Sequence, residues 1–175
     1  MKYVYEFTNQ RKLTKAEFLK WFQKKVLYTI RKFKMIKNND VIVYENKGYF
    51  REVVLKDVLK MFAEKADIKL INRKVGKFTK IALSSTTDTE AGKLINQLVK
   101  EDVKNVKNLV PVHKKIIKPL YLFLDKEVML YAKLKNLKFR TTSEKKNKIL
   151  NFVDNLEVKH PEIKRAIINS YLELY

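Results

Sequence analysis

The last third of the chain is the most restrictive stretch of the sequence. It reads as helix after helix, with almost nothing between them. Asp125 is a good cap for Lys126-Glu127-Val128-Met129-Leu130-Tyr131-Ala132, a run without glycine or proline that should stay helical to about Asn136. Phe139-Arg140-Thr141-Thr142 reads as a polar link. Ser143, with Glu144 behind it, is the candidate cap of a second helix. There Ile149, Phe152, Val153 and Leu156 recur at i, i+3, i+4 and i+7, the spacing of one buried stripe. His160-Pro161 interrupts it, because proline disfavours helical geometry in the preceding residue and suits a first helical position. A third helix is expected from Pro161, with Ile163, Ala166, Ile167 and Tyr171 inward. Such a tail must pack on something, and periodicity alone does not say what it does.

The rest of the chain must supply that partner. Its 175 residues are 46% hydrophobic, enough to bury a core. The chain has no cysteine, which excludes disulfides, thiolate metal sites, iron–sulfur clusters and a cysteine nucleophile. No apolar run approaches the roughly 20 residues of a membrane span, and no signal-peptide core follows Met1. The expectation is a cytoplasmic protein with no membrane contact. Thirty-nine Lys and Arg oppose 19 Asp and Glu, for a formal charge of +20. A small globule with that self-repulsion points to a polyanionic partner, and a nucleic-acid-binding protein would concentrate the charge on one face. A mere compositional lysine bias would scatter it.

Near the start, Tyr3-Val4-Tyr5-Glu6-Phe7 alternates like a strand, and Thr8 to Arg11 is a turn. Thr14-Lys15-Ala16-Glu17 is a capping box. It opens a helix to about Met35, with Phe18, Phe22, Val26, Ile30 and Phe33 inside and Trp21 beside them. Lys20, Lys24, Arg31, Lys32, Lys34 and Lys37 fall largely off that stripe and are the candidate nucleic-acid contacts.

Val41-Ile42-Val43-Tyr44 is a short apolar run of the buried parallel type, and a helix follows over Val53 to Phe62. Ile68 to Ile71 reads as a second strand, and Asp88 as the cap of a helix from Glu90 to Val99. Lys100 to Lys107 is basic, with valines spaced for a helix or a covering loop. His113 and His160 stand alone, without the neighbours a metal or a catalytic pair would need, and no metal site is expected.

Three blocks together resemble a known family. They are Phe18 to Ile36 (with Lys25-Val26-Leu27-Tyr28-Thr29-Ile30-Arg31-Lys32), Lys77 to Leu98 (with Asp88, Glu90 and Ala91), and Pro119 to Leu172. The third block is the most specific: Asp125-Lys126-Glu127-Val128, Leu130-Tyr131-Ala132, Asn151-Phe152-Val153, Leu156-Glu157, Lys159-His160-Pro161 and Ser170-Tyr171. The chain resembles the tRNA 2-thiolation enzymes of the PP-loop ATP pyrophosphatase superfamily, in shortened form. The resemblance implies an α/β fold: a reduced PP-loop core (adenine nucleotide alpha hydrolase-like) with a short parallel sheet, an N-terminal basic helix and a C-terminal helical tail. It implies three regions. Residues 1–37 would be a metal-free remnant of a zinc ribbon, with Thr14 and Glu17 where cysteines belong. Residues 38–123 would be a truncated core, and 124–175 the tail.

The chemical devices of that family are broken. Its phosphate loop aligns with Asn46-Lys47-Gly48-Tyr49-Phe50-Arg51, where one glycine survives and Tyr49 and Phe50 bring bulk. Asn46, Gly48 and Asp88 are therefore degenerate nucleotide-loop positions. The family's Cys-Pro loop, between Phe139 and Ile149, is short and free of cysteine. No cofactor and no catalytic residue is expected. The implied function is an inactive pseudoenzyme that binds tRNA or another structured RNA through its basic surface. The alternatives are a non-catalytic partner subunit of an active tRNA thiolase, a homodimer, or a residual enzyme working by unrelated chemistry through Asp88, Glu90 or Ser84 and Ser85.

Overall fold

In a computed structural model, residues 2–72, 76–140 and 148–175 are described, without the side chains of Val103, Lys148 and Leu150. The link at 141–142 and the Ser143 cap lie outside these residues. A hairpin opens the chain: β1 (Tyr3–Glu6) pairs antiparallel with β2 (Lys12–Thr14). The second strand was invisible in the sequence, being three residues long with one apolar side chain. α1 (Lys15–Lys32) follows at the predicted capping box. The Thr14 hydroxyl accepts from the Glu17 N–H at 3.4 Å, and the Glu17 carboxylate accepts from the Thr14 N–H at 2.8 Å.

Five strands form one sheet in the order β4 (Lys69–Ile71), β3 (Val41–Tyr44), β5 (Lys80–Ala82), β7 (Ile116–Ile117), β6 (Val112–His113). All neighbours are parallel except β6 with β7, a hairpin turning at Lys114, whose φ is +54°. β3 is an interior strand, between β4 and β5, and its Ile42, Val43 and Tyr44 are consecutively buried, as a strand covered on both faces requires. The chain leaves β3 for β4 on one side and reaches β5 on the other. That places a topological switch point between β3 and β5, the place where open α/β sheets bind ligands.

α2 (Phe50–Ala63) and α3 (Thr87–Val99) each begin three residues before the predicted start. α3 is capped by Thr86, whose hydroxyl accepts from the Thr89 N–H at 3.4 Å; the expectation that Asp88 caps it is corrected. The stretch after α3 forms a short helix, α4 (Val103–Val106), and a 3-10 turn over Lys107–Leu109.

The tail is helical as expected: α5 (Asp125–Leu134), α6 (Lys148–Lys159) and α7 (Ile163–Leu174). Three details differ from the sequence reading. Leu124, not Asp125, is the cap residue of α5, and the Asp125 side chain is used elsewhere. α7 starts after Pro161 because Glu162 takes a left-handed conformation, φ +77°. The buried face of α7 is turned to Lys164, Ile168 and Tyr171, while Phe152 of α6 is 59% exposed.

α5 packs on α1 and α2, and α7 packs on α3. The main core lies between α1, the sheet, α2 and α5. Phe22 stacks on Tyr131 at 4.0 Å and meets Phe123 at 4.3 Å. Each such fully buried ring contributes about 2–3 kcal/mol of transfer free energy. Among the described residues, no helix is long and apolar enough to cross a membrane.

Candidate functional site

The switch point is where a nucleotide would sit. After β3 the chain turns at Gly48, whose φ of +94° suits only glycine, and enters α2. A helix start reached through such a turn presents free N–H groups to an anion. Here the N–H groups of the loop that leads into the helix are already used. The Gly48 N–H donates to the Asn46 Oδ1 at 3.0 Å. The N–H groups of Lys47 and Tyr49 donate to one oxygen of Glu52 at 2.6 and 3.4 Å. A carboxylate from the first turn of α2 thus stands where a phosphate oxygen would be received.

The loop is also covered. The Arg140 N–H donates to the Gly48 carbonyl at 2.7 Å, and the Arg140 side chain lies 3.7 Å from where a Cβ on Gly48 would be. The remaining cleft, lined by Tyr44, Glu45, Glu52, Ala82 and Ser84, measures about 90 Å³. Ligand pockets usually measure roughly 300–1,000 Å³, and two of these lining residues are acidic. The loop's two cations are engaged as well. Lys47 faces Glu45 at 3.7 Å, and Arg51 grips Asp125 through two bonds of 2.8 and 2.6 Å.

The surviving acidic positions serve as joints. Thr86 donates its hydroxyl to Asp125 at 2.7 Å, and the Asp125 N–H donates to Asp88 at 2.7 Å. Asp88 also accepts from Lys164 at 2.6 Å, and Lys164 reaches Asp154 at 2.7 Å. Burial lowers the affinity of Lys164 for its proton, but Asp154 and Asp88 outweigh it and raise its pKa. Glu90 is fully buried between Lys118 at 2.6 Å and Lys93 at 2.8 Å. Burial pushes its carboxyl up, and the two ammonium groups pull it below the usual range.

A second buried charge cluster was not legible in the sequence. Glu127 accepts from the Tyr5 hydroxyl at 2.8 Å, Lys25 at 3.2 Å and the Leu124 N–H at 2.9 Å, and also from Arg165. Lys25 lies over the rings of Trp21 and Phe123, at 4.8 and 4.6 Å. Two cations share one carboxylate, so the two sides respond differently. Burial raises the Glu127 pKa, but Lys25 and Arg165 together bring it below its ordinary value. For Lys25, burial outweighs its share of Glu127 and lowers the pKa. The one hint in the sequence was Lys25 on the same side of the helix as Trp21 and Thr29.

The predicted nucleic-acid residues lie elsewhere. Lys20, Lys24 and Arg31 share the outer face of α1, and Lys32 borders it; all are exposed, and none makes an ion pair among the described residues. Lys34 and Lys37 are exposed too but sit in the turn after α1, off that face; Lys34 has φ +48°. Exposed lysines also occur on other elements, Lys60 and Lys104 among them, so the positive charge is not confined to α1. Lys24, Leu27, Tyr28, Arg31 and Lys32 form one open patch on the outer face of α1. Tyr28 was not singled out from the sequence; its signal was an aromatic residue placed off the buried stripe.

No protein-family model and no curated protein sequence matches the chain. Among solved structures, the U34-tRNA thiolase NcsA from Methanococcus maripaludis, a structure with its 4Fe-4S cluster, superimposes with a TM-score of 0.78. The match covers 98% of this chain and 84% of that one, at 18% identity. The chain has a tRNA thiolase fold. The resemblance read from the three sequence blocks is therefore borne out at the level of the fold. An iron–sulfur cluster does not fit this version of it. Such clusters are held chiefly by cysteine thiolates, and this chain has none. Among the described residues, no group of His, Asp and Glu could hold a metal instead. ATP does not fit either, given the occupied loop and the 90 Å³ cleft.

Proposed function

We propose that the protein is a catalytically inactive relative of the tRNA-thiolating enzymes that binds tRNA, or a similarly structured RNA, through the exposed basic face of α1. The observation that carries the loss of chemistry is the filled phosphate loop, with Asn46 and Glu52 taking the N–H groups that an ATP phosphate needs. The binding half rests on the +20 charge and on the unpaired cations of α1. Lys34 and Lys37 extend that surface beyond the helix. Asn46, Gly48 and Asp88 are inherited positions without a nucleotide role, and the protein works in the cytoplasm.

The test is tRNA binding measured against salt concentration. If about six cations each neutralise one phosphate, log K should fall with log salt at a slope of roughly −4 to −5. A flat dependence, or no binding near about 100 mM salt, where the screening length is about 10 Å, refutes the reading.

One observation favours a second role, as a non-catalytic subunit paired with an active thiolase or with its own copy. Phe152, Val158 and Leu174 on the tail are 59%, 82% and 77% exposed, apolar area that a partner subunit would cover. Co-purification from the host with a thiolase, or a dimer mass in solution, supports it; a lone monomer in both experiments refutes it.

A further inference from the structure

The basic patch on α1 differs from a plain lysine-rich surface in one respect: it carries an exposed aromatic ring, Tyr28. Tyr28 is 56% exposed, and among the described residues no other ring packs against it. Lys32 stands 5.7 Å from its centroid, and Lys24 and Arg31 lie one turn to either side along the helix. An exposed tyrosine ring covers apolar area with a rigid plane, and the surrounding cations pair with no acid among the described residues. Lys32 also borders a groove of about 360 Å³, lined by Phe33, Pro111, Val112, Leu172 and Tyr175. Tyr175 is likewise 56% exposed and rests against Tyr171 at 5.1 Å. Lys32 therefore stands between the Tyr28 ring and the Phe33 ring, 5.4 Å away, at the edge of that groove.

We propose that this patch binds an unpaired nucleic-acid strand, with one base stacked on Tyr28, its flanking phosphates on Lys24 and Arg31, and the strand continuing past Lys32 towards Tyr175. The inference rests on the RNA-binding reading and adds to it the class of substrate: single-stranded segments, such as a loop or an end, in place of duplex. The chemistry is specific to that class. A base inside a duplex has both faces covered, whereas an unpaired base offers a free face, and stacking one on an aromatic residue is a main source of single-strand affinity. The cations supply the salt-dependent part and the ring supplies a part that salt does not touch.

The experiment measures the full-length protein, by fluorescence anisotropy at several salt concentrations, against labelled oligo(rU), oligo(dT) and an RNA duplex of equal length. Tyr28→Ala should weaken binding of the single strands by about tenfold, within the range for losing one stacked base. It should leave duplex binding and the salt slope unchanged. Tyr28→Phe should retain affinity, and Tyr28→Leu, equally apolar but without a ring, should lose it. Arg31→Gln should instead reduce the salt slope by about one unit. Equal effects on oligo(rU) and oligo(dT) assign the site to unpaired strands in general, and a larger effect on oligo(rU) assigns it to RNA; both support the inference. If Tyr28→Ala leaves single-strand affinity intact, weakens single strand and duplex alike, or if Tyr28→Leu binds normally, the stacking site is refuted while RNA binding stands. If the unaltered protein binds none of the three probes, the RNA-binding reading itself has failed. Tyr28 is exposed, so the melting temperature of each variant should match that of the parent chain.

Discussion

Glu127→Gln should be among the most destabilising isosteric changes available to this protein. Both carboxylate oxygens are occupied: Tyr5 and Arg165 donate to one, Lys25 and the Leu124 N–H to the other. A glutamine must turn its NH2 towards one of those pairs, so it faces either Arg165, with the Tyr5 hydroxyl rotated to accept, or both Lys25 and the Leu124 N–H. It also leaves Lys25 and Arg165, with side chains 19% and 22% exposed, without their shared negative charge. Breaking one side of a buried ion pair costs about 3–5 kcal/mol, against a total stability of about 5–15 kcal/mol for a domain. With a urea m-value of about 2 kcal/mol/M, the unfolding midpoint should fall by roughly 2 M. A shift of less than about 0.5 M would mean that the cluster carries little energy and would refute the argument. Replacing Glu127, Lys25 and Arg165 together by Leu, Met and Met should recover most of the loss, since apolar residues of similar volume often substitute for a buried ion cluster without penalty.

The same cluster fixes a pH dependence. The folded protein holds the Glu127 pKa below its ordinary value. The sign follows from proton linkage: the stabilisation is fully present above the unfolded pKa of about 4.3 and is lost as pH falls through the lower folded value. The gap in stability between the parent chain and Glu127→Gln should therefore be constant near neutrality and narrow below about pH 4.

Three further outcomes follow from the structure. Titration with Mg-ATP in a calorimeter should give no binding heat up to about 1 mM, the weak end of useful affinities; clear saturation would overturn the filled-loop argument. The Tyr121 hydroxyl is buried with no hydrogen-bond partner among the described residues, so Tyr121→Phe should leave stability unchanged or raise it by about 1 kcal/mol in urea unfolding. A loss of that size would show that the hydroxyl is bonded. Thr14→Ala removes the cap of α1 and should cost about 1 kcal/mol by the same assay.

Elements with a strong local cause were legible in the sequence. The Thr14 capping box and the stripe from Phe18 to Ile30 set α1, and the consecutive apolar residues of β3 marked a strand covered on both faces. What escaped depended on partners distant in the chain. β2, β6 and β7 have two or three residues each and exist because a neighbouring strand is there. The face of α7 was misread because Lys164 is buried, and it is buried because Asp88 and Asp154 wait for it. That the loop after β3 keeps a single glycine and lacks the serines and aspartate of the family it resembles was visible in the sequence. That Asn46 and Glu52 fill it was not, since this requires knowing where the N–H groups point.

Side chains around the carboxyl ends of β3 and β5 bond to one another and to the start of the tail. The carboxyl ends of β3 and β5 normally form an open crevice, and an open crevice lined with polar groups must be satisfied by a ligand or by water. Here Arg51 follows β3 and Thr86 follows β5, and both close on Asp125 at the start of the tail. Asp88 then takes the Asp125 N–H and joins α3 to α7 through Lys164. The polar residues around the crevice hold the tail on the sheet, and a nucleotide would have to break those bonds to enter. The outer face of α1 takes no part in that network.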